Sequence, residues 1–155
     1  MAPGQFSYAD MKDLYRYDSI DVDTDVYGVI ADPIGHSLSP VIHNAAFREL
    51  GLNAVYIPFR VPREDLTDFM GMCRQLSIKG LSVTIPHKEE IVPLATETDN
   101  AVDHIGAANT IVIDGFEKRA YNTDHSAALD SINADISRGH DIDHLTGRTA
   151  LILGA

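Results

Sequence analysis

The chain has 155 residues, 45% of them apolar, and a mean hydropathy of -0.07, the size and balance of one globular domain. A formal net charge of -11 from 12 basic and 23 acidic residues excludes a nucleic-acid binder, which needs a basic face against phosphates. No apolar run approaches the ~20 residues of a membrane span, the opening "MAPGQFSYADMKDLYRYD" lacks the apolar stretch of a secretory signal, and the single cysteine, Cys73, rules out an internal disulfide; the composition reads as cytoplasmic, with no membrane partner.

Residues 1–25 are acidic and turn-rich, ending in "DSIDVDTD", and are expected to form an arm or linker. "VYGVIA" (26–31) is the first expected strand, followed by the loop "DPIGHSLSP". Ser39 is expected as N-cap with Pro40 at the first helical position, Ile42, Ala45, Ala46 and Leu50 on the buried face, and Gly51 closing the helix. "AVYIPF" is a second strand. The next helix carries Leu66, Phe69, Met70 and Cys73 at i, i+3, i+4 and i+7, a stripe that covers one side of a sheet and buries Cys73 as an inert thiol. "KGLSVTI" (79–85) is the third strand, stopped by Pro86, which cannot donate to a ladder.

A short helix is expected from about Lys88 to Ala95, irregular at Pro93, and another from about Asp99 to Ile105. "ANTIVI" and "KRAYN" flank Asp114-Gly115, a dipeptide suited to a tight hairpin. A helix from about Asp124 places Leu129, Ile132 and Ile136 on one face, and "TALILGA" (149–155) is a final strand. Strands alternating with helices predict an α/β fold: a single domain with a mainly parallel sheet, one antiparallel hairpin, and helices on both faces in three layers. The close at Gly154-Ala155 has the character of a Gly-rich dinucleotide turn of which only the start is present.

Four polar clusters fall at strand ends: Ser37 and Ser39; Thr84 and Lys88; Asn109; and Asn122, Thr123 and Asp124. In open α/β sheets ligands sit beyond the carboxyl ends of strands. Hydroxyls, an amide, an ammonium and a carboxylate on one rim suit a small polyhydroxylated acid. Each residue also has a plain structural reading: Ser39 and Asp124 as helix caps, Asn109 as a backbone bridge, Lys88 as a surface charge. His140 and His144 have a metal-compatible spacing but stand in a polar linker without further ligands, and no metal is expected.

Four segments, "GVIADPIGHSLSPVIHNAAF", "SVTIPHKEE", "GAANTIV" and "YNTD", resemble in order the signature segments of the substrate-binding domain of the shikimate dehydrogenase family, over residues 26 to 155. The upstream "MKDLYRYDSIDVDTDVYG" is similar to the junction before the dehydrogenase half of fused 3-dehydroquinate dehydratase/shikimate dehydrogenase proteins. The resemblance implies an arm or linker at 1–25, a shikimate-binding domain at 26–148, and the start of a Rossmann domain at 149–155. NADP would be held by a C-terminal domain absent from this chain, with only Gly154 and Ala155 belonging to its motif, so the chain alone is expected to bind substrate without turning it over.

The resemblance also implies residue roles. Ser37 and Ser39 would hold the carboxylate of shikimate or 3-dehydroshikimate, aided by a helix N-terminus. Thr84, Asn109 and Asp124 would contact ring hydroxyls, and Lys88 with Asp124 would form the catalytic pair. A ketone receiving hydride develops negative charge on oxygen, and an ammonium can stabilise it and supply the proton. Two departures stand out: the family more often has glycine at the position of Ala31, and again where Ala127 stands. Quinate dehydrogenase and a non-catalytic shikimate- or quinate-sensing module remain alternatives. The serine pair leans toward shikimate, and the intact Lys88/Asp124 pair leans toward an enzyme.

Overall fold

The computed structural model describes residues 6–35, 37–139, 147 and 149. Of the final strand expected from "TALILGA" only Thr149 is among them; residues 150–155, Gly154 and Ala155 included, and the His140/His144 pair fall outside. The chain divides into two compact units, one ending at Asn122 and the other beginning at Thr123.

The first unit is built on six strands: β1 (Asp25–Ala31), β2 (Ala54–Arg60), β3 (Ile78–Val83), β4 (Glu97–Thr98), β5 (Thr110–Asp114) and β6 (Glu117–Tyr121). They lie in the order β2-β1-β3-β5-β6-β4. Pairings β1–β2, β1–β3 and β4–β6 are parallel, and β3–β5 and β5–β6 antiparallel. The sheet is thus mainly parallel as expected, with a second antiparallel pairing where the hairpin joins β3. The two-residue β4 has no apolar alternation to announce it. The hairpin loop is Gly115-Phe116, since Asp114 pairs with Glu117 at the end of the ladder; Gly115 takes the left-handed backbone (φ 62°) that such a turn requires.

Helices α1 (Ser39–Glu49), α2 (Leu66–Met72) and α3 (Asn100–Ile105) complete this unit. Successive side chains of a strand point to opposite faces, so Val26, Gly28 and Ile30 face one way and Tyr27 and Val29 the other. On the first face Ile30, Leu81 and Val83 pack with Leu66, Met70 and Cys73, the stripe expected of α2. Gly28 belongs to this face by necessity: a Cβ there would stand 2.5 Å from the Phe59 ring and 2.4 Å from the Ile57 carbonyl oxygen. On the second face α1 covers Tyr27 and Tyr56 through Phe47 and His43, with ring centroids 5.5 and 4.3 Å apart.

The buried side of α1 is not the expected one. Ile42, Ala45, Ala46 and Leu50 are exposed, whereas Pro40 and Asn44 are buried and His43 and Phe47 half-buried. The physical reason is hydrogen bonding at the outer strand: the Asn44 amide donates to the Tyr56 carbonyl at 2.8 Å and its oxygen accepts from the Tyr56 N–H at 2.9 Å. A buried amide with both ends matched outweighs the small apolar gain of turning Ala45 and Ala46 inward.

Two further expectations change. Ser39 is the first helical residue and not the N-cap; that position is Leu38, and its side chain makes no capping bond. The helix expected over 88–95 is a series of turns with one 3-10 turn at Val92–Leu94, because Pro93 removes a donor from any longer ladder. Asp99 caps α3 by accepting from the Val102 N–H at 2.8 Å, and Gly106 at φ 75° ends it. The arm is not featureless: it holds a π-helical turn at Asp10–Leu14 and a 3-10 turn at Tyr17–Ser19, anchored by buried Tyr15.

The second unit contains α4 (Thr123–Gly139), with Asp124 in its first turn, where a carboxylate complements the helix dipole. Leu129 and Ile132 lie at its surface. No helix among the described residues is long and apolar enough to cross a membrane.

Two outcomes are expected from this packing. Asn44→Ala strips both partners from a buried backbone unit, so it should destabilise the chain by roughly 2 to 4 kcal/mol in urea titrations, whereas Ala45→Ser on the exposed side should change stability little. Burial pushes the Cys73 thiol up to about 11. The raised value means its share of stability is complete below the ordinary thiol pKa of about 8.5 and is lost as pH rises toward 11. At pH 8.5 a thiol reagent should therefore label native Cys73 only as fast as the chain opens, and at once in denaturant; prompt labelling of the native chain would contradict the packing.

Candidate functional site

Parallel strands β1 and β3 end at the same side of the sheet, and antiparallel β5 starts there, so one rim collects the segments after β1, after β3 and before β5. Hydrogen bonds tie these segments together. Thr84 N–H donates to the Ile30 carbonyl at 3.2 Å, Asp32 N–H to Ile85 at 3.2 Å, and Val83 N–H to Asn109 at 2.8 Å. The Lys88 carbonyl accepts from Ala108 N–H at 2.7 Å, and Asn109 N–H donates to Tyr121 at 3.0 Å. Ser37, Ser39, Thr84, Lys88 and Asn109 are all half-buried, as befits side chains that are held in place yet open to a ligand. They all lie on this rim. Asp124 belongs to the other unit, in the first turn of α4.

Ser37 takes the capping role expected of Ser39: its hydroxyl oxygen accepts from the Ser39 N–H at 3.3 Å. That bond uses a lone pair and leaves the Ser37 proton able to donate to an anion. Pro40 contributes no N–H to the first turn, so an anion at this helix end depends more on hydroxyls than at an ordinary N-terminus. The neighbouring guanidiniums are already engaged. Arg60 pairs with Asp32 at 2.8 Å and Arg63 with Glu90, and the Asp32 carboxylate raises the Arg60 pKa.

Asn109 accepts from the Thr110 hydroxyl at 3.0 Å, which orients its amide, and buried Asn122 donates to the Ala107 carbonyl at 2.8 Å. Asn122 thus fixes the backbone two residues before Asn109, a bridging role of the kind the sequence suggested for Asn109 itself. His87, between the strand end and Lys88, is fully buried with Nε2 2.8 Å from the Val61 carbonyl oxygen. It anchors the turn from which Lys88 projects.

The sequence reading missed two members of this neighbourhood. Tyr56 on β2 and Ser82 on β3 join hydroxyls at 2.7 Å, reaching across β1. Burial raises the Tyr56 pKa, while hydrogen bonding with Ser82 and then Ser39 opposes that rise. The only signal available in sequence was that Ser82 interrupts an otherwise apolar strand. A cavity of about 290 Å³ lies at the opposite end of the sheet, between the arm and α1, and contains none of these rim residues. Among the described residues no three His, Cys, Asp or Glu side chains are grouped to hold a metal.

The family model for the shikimate dehydrogenase substrate binding domain matches residues 29–111. Over 85% of its length the chain is 40% identical to the shikimate dehydrogenase (NADP(+)) of Methanothermobacter thermautotrophicus, covering 44% of that protein. Over 99% of its length it is 35% identical to the chloroplastic bifunctional 3-dehydroquinate dehydratase/shikimate dehydrogenase of Arabidopsis thaliana, covering 27% of it. A crystal structure of shikimate 5-dehydrogenase from Listeria monocytogenes in complex with shikimate and NAD superposes with a TM-score of 0.70 at 36% identity, covering 79% of this chain and 42% of that one. The chain spans about half the length of the curated relatives it matches, or less.

Proposed function

The chain belongs to the shikimate dehydrogenase substrate binding domain family, and from that premise we propose that it is the substrate-holding part of an NADP-dependent shikimate dehydrogenase, interconverting 3-dehydroshikimate and shikimate. The observation that carries this reading is the gathering of Ser37, Ser39, Thr84, Lys88 and Asn109 on one rim at the carboxyl ends of β1 and β3. A shikimate carboxylate would accept from the Ser37 and Ser39 hydroxyls. The ring hydroxyls would find Thr84, Asn109 and Asp124.

Among the described residues no Gly-rich turn leads from a strand into a helix, so none of them is assigned to NADP. When bound elsewhere in the protein, the cofactor supplies the hydride. The chain's own part is the proton. As the carbonyl oxygen gains negative charge, the Lys88 ammonium stabilises it and donates the proton that makes the alcohol; in the reverse direction the amine takes that proton back. In the role that the family resemblance implies for it, Asp124 would keep the ammonium charged and accept from a ring hydroxyl. The same reading assigns residues 1–25 to a connecting arm, 26–148 to substrate binding and 149–155 to the opening of a cofactor domain. Fusion to a 3-dehydroquinate dehydratase would match the two activities in the name of the Arabidopsis relative.

Calorimetric titration of the chain with shikimate and with quinate tests the binding half. Ser37→Ala or Ser39→Ala should each cost roughly 1.5 to 3 kcal/mol of shikimate affinity, the worth of one hydrogen bond to a charged group; unchanged affinity in both would send the carboxylate elsewhere. Steady-state turnover tests the chemistry in the protein extended to the length of its relatives. Lys88→Ala should lower kcat by about 10² to 10⁴ with an unchanged melt, and adding Asp124→Asn should cost less than the product of the single losses because both act on one proton transfer. A Lys88→Ala enzyme within about tenfold of wild-type kcat would make the lysine a surface charge.

A further inference from the structure

The Tyr56 hydroxyl lies between the serine end of the rim and the strand beneath it. It is 2.7 Å from the Ser82 hydroxyl on β3, and Ser39 at the head of α1 stands one helical turn before His43, whose ring stacks on Tyr56; hydrogen bonding with Ser39 is also the least of the influences on the phenol's pKa. Three elements hold the ring still. His43 stacks on it at 4.3 Å and 16°, Asn44 grips both backbone polar groups of Tyr56, and the residue is only 4% exposed. A phenol fixed this firmly is pre-organised for one task.

That task follows from counting protons. A hydroxyl has one proton to give and two lone pairs to fill. If Ser39 spends its proton on a neighbour within the protein, it has none for an anion. We propose that Tyr56 is the positioning residue for Ser39: with a carboxylate on the rim, Ser82 donates to the Tyr56 oxygen, Tyr56 donates to the Ser39 oxygen, and the Ser39 proton points to the carboxylate. Each hydroxyl in this file polarises the next, strengthening the bond at its open end. Either hydroxyl of the 2.7 Å Tyr56–Ser82 pair can be the donor, so the file can take this direction without any atom heavier than hydrogen having to move. The buried phenol keeps its proton through the neutral range, because burial disfavours the tyrosinate. The inference rests on the proposed carboxylate site and adds to it a residue, and a direction of hydrogen bonding, from β2, a strand that supplies none of the five rim side chains.

A double-mutant cycle on shikimate binding, read by calorimetry, tests it. Tyr56→Phe keeps the ring on His43 and removes only the hydroxyl. It should weaken shikimate binding roughly 3- to 10-fold, while the Tyr56→Phe/Ser39→Ala double variant should bind no more than twofold worse than Ser39→Ala alone. For the methyl ester of shikimate, which has no full negative charge, the Tyr56→Phe penalty should fall to within twofold. Equal penalties for acid and ester, losses that multiply in the double variant, or a Tyr56→Phe affinity within twofold of wild type would each overturn the proposal. Should Tyr56→Phe melt below the working temperature, Ser82→Ala replaces it in the same cycle with Ser39, with non-additive losses expected and multiplying losses decisive against it. If the wild-type chain does not bind shikimate, the functional reading falls and this inference with it; if shikimate binds but Ser39→Ala is silent, the reading stands and this inference alone falls.

Discussion

The first unit is organised around a single pair of hydrogen bonds: the Asn44 side chain lying along the outer backbone of β2, giving 2.8 Å to the Tyr56 carbonyl and taking 2.9 Å from its N–H. An amide matches a peptide unit donor for acceptor, so the contact fixes both the distance of α1 from the strand and its rotation about its own axis. Everything at the head of that helix inherits the constraint. Ser39 begins it, Ser37 caps it, and Pro40 and Phe47 are turned inward because Asn44 is. A helix held only by apolar contacts could roll by tens of degrees at small cost; one held by two directional bonds cannot. The two serines proposed to meet a carboxylate would need such a fixed mount.

The same contact explains which parts of the fold were legible in the sequence. Strands β1, β2 and β3, the stripe of α2 and the cap of α3 each obey a periodicity or a capping preference, and they stand where those rules put them. For α1 the rule misled. Counting apolar residues selects Ile42, Ala45, Ala46 and Leu50, yet the helix turns on a polar residue whose value depends on a strand ten residues later in the chain. Hydrophobic patterning prices burial and is blind to a matched amide. The failed helix after Lys88 has a different cause, since a proline in a short segment leaves too few successive i→i−4 hydrogen bonds to sustain an α-helix.

At the candidate site the legible residues were those that punctuate strand ends, where a hydroxyl or a lysine breaks an apolar run. Ser37, Thr84, Lys88 and Asn109 are of this kind. Tyr56 and Ser82 are not, because the bond between them passes over β1 and joins two strands that are not neighbours in the sheet. An acidic chain repels an anionic ligand unless donors are concentrated locally, and this rim is where they are concentrated. A chain of net charge -11 has Arg60 and Arg63 tied to Asp32 and Glu90, so an anion on this rim would rely on aligned hydroxyl dipoles, with little help from a basic surface. Hydroxyls in a partly buried setting attract a carboxylate at short range and discriminate by geometry, whereas a basic patch would attract anions of any shape.

The order of the strands has a further consequence. The sheet has two ends, β2 and β4, and each exposed strand end of a sheet is a template onto which another chain can add a strand. At β2 the Tyr56 peptide, the groups a newcomer would need, is already occupied by Asn44. At β4 the strand is two residues long, too short to offer a row of partners. Among the described residues each end thus offers a newcomer a shortened row of backbone partners, at β2 because a side chain poses as a neighbouring strand at Tyr56 and at β4 through brevity.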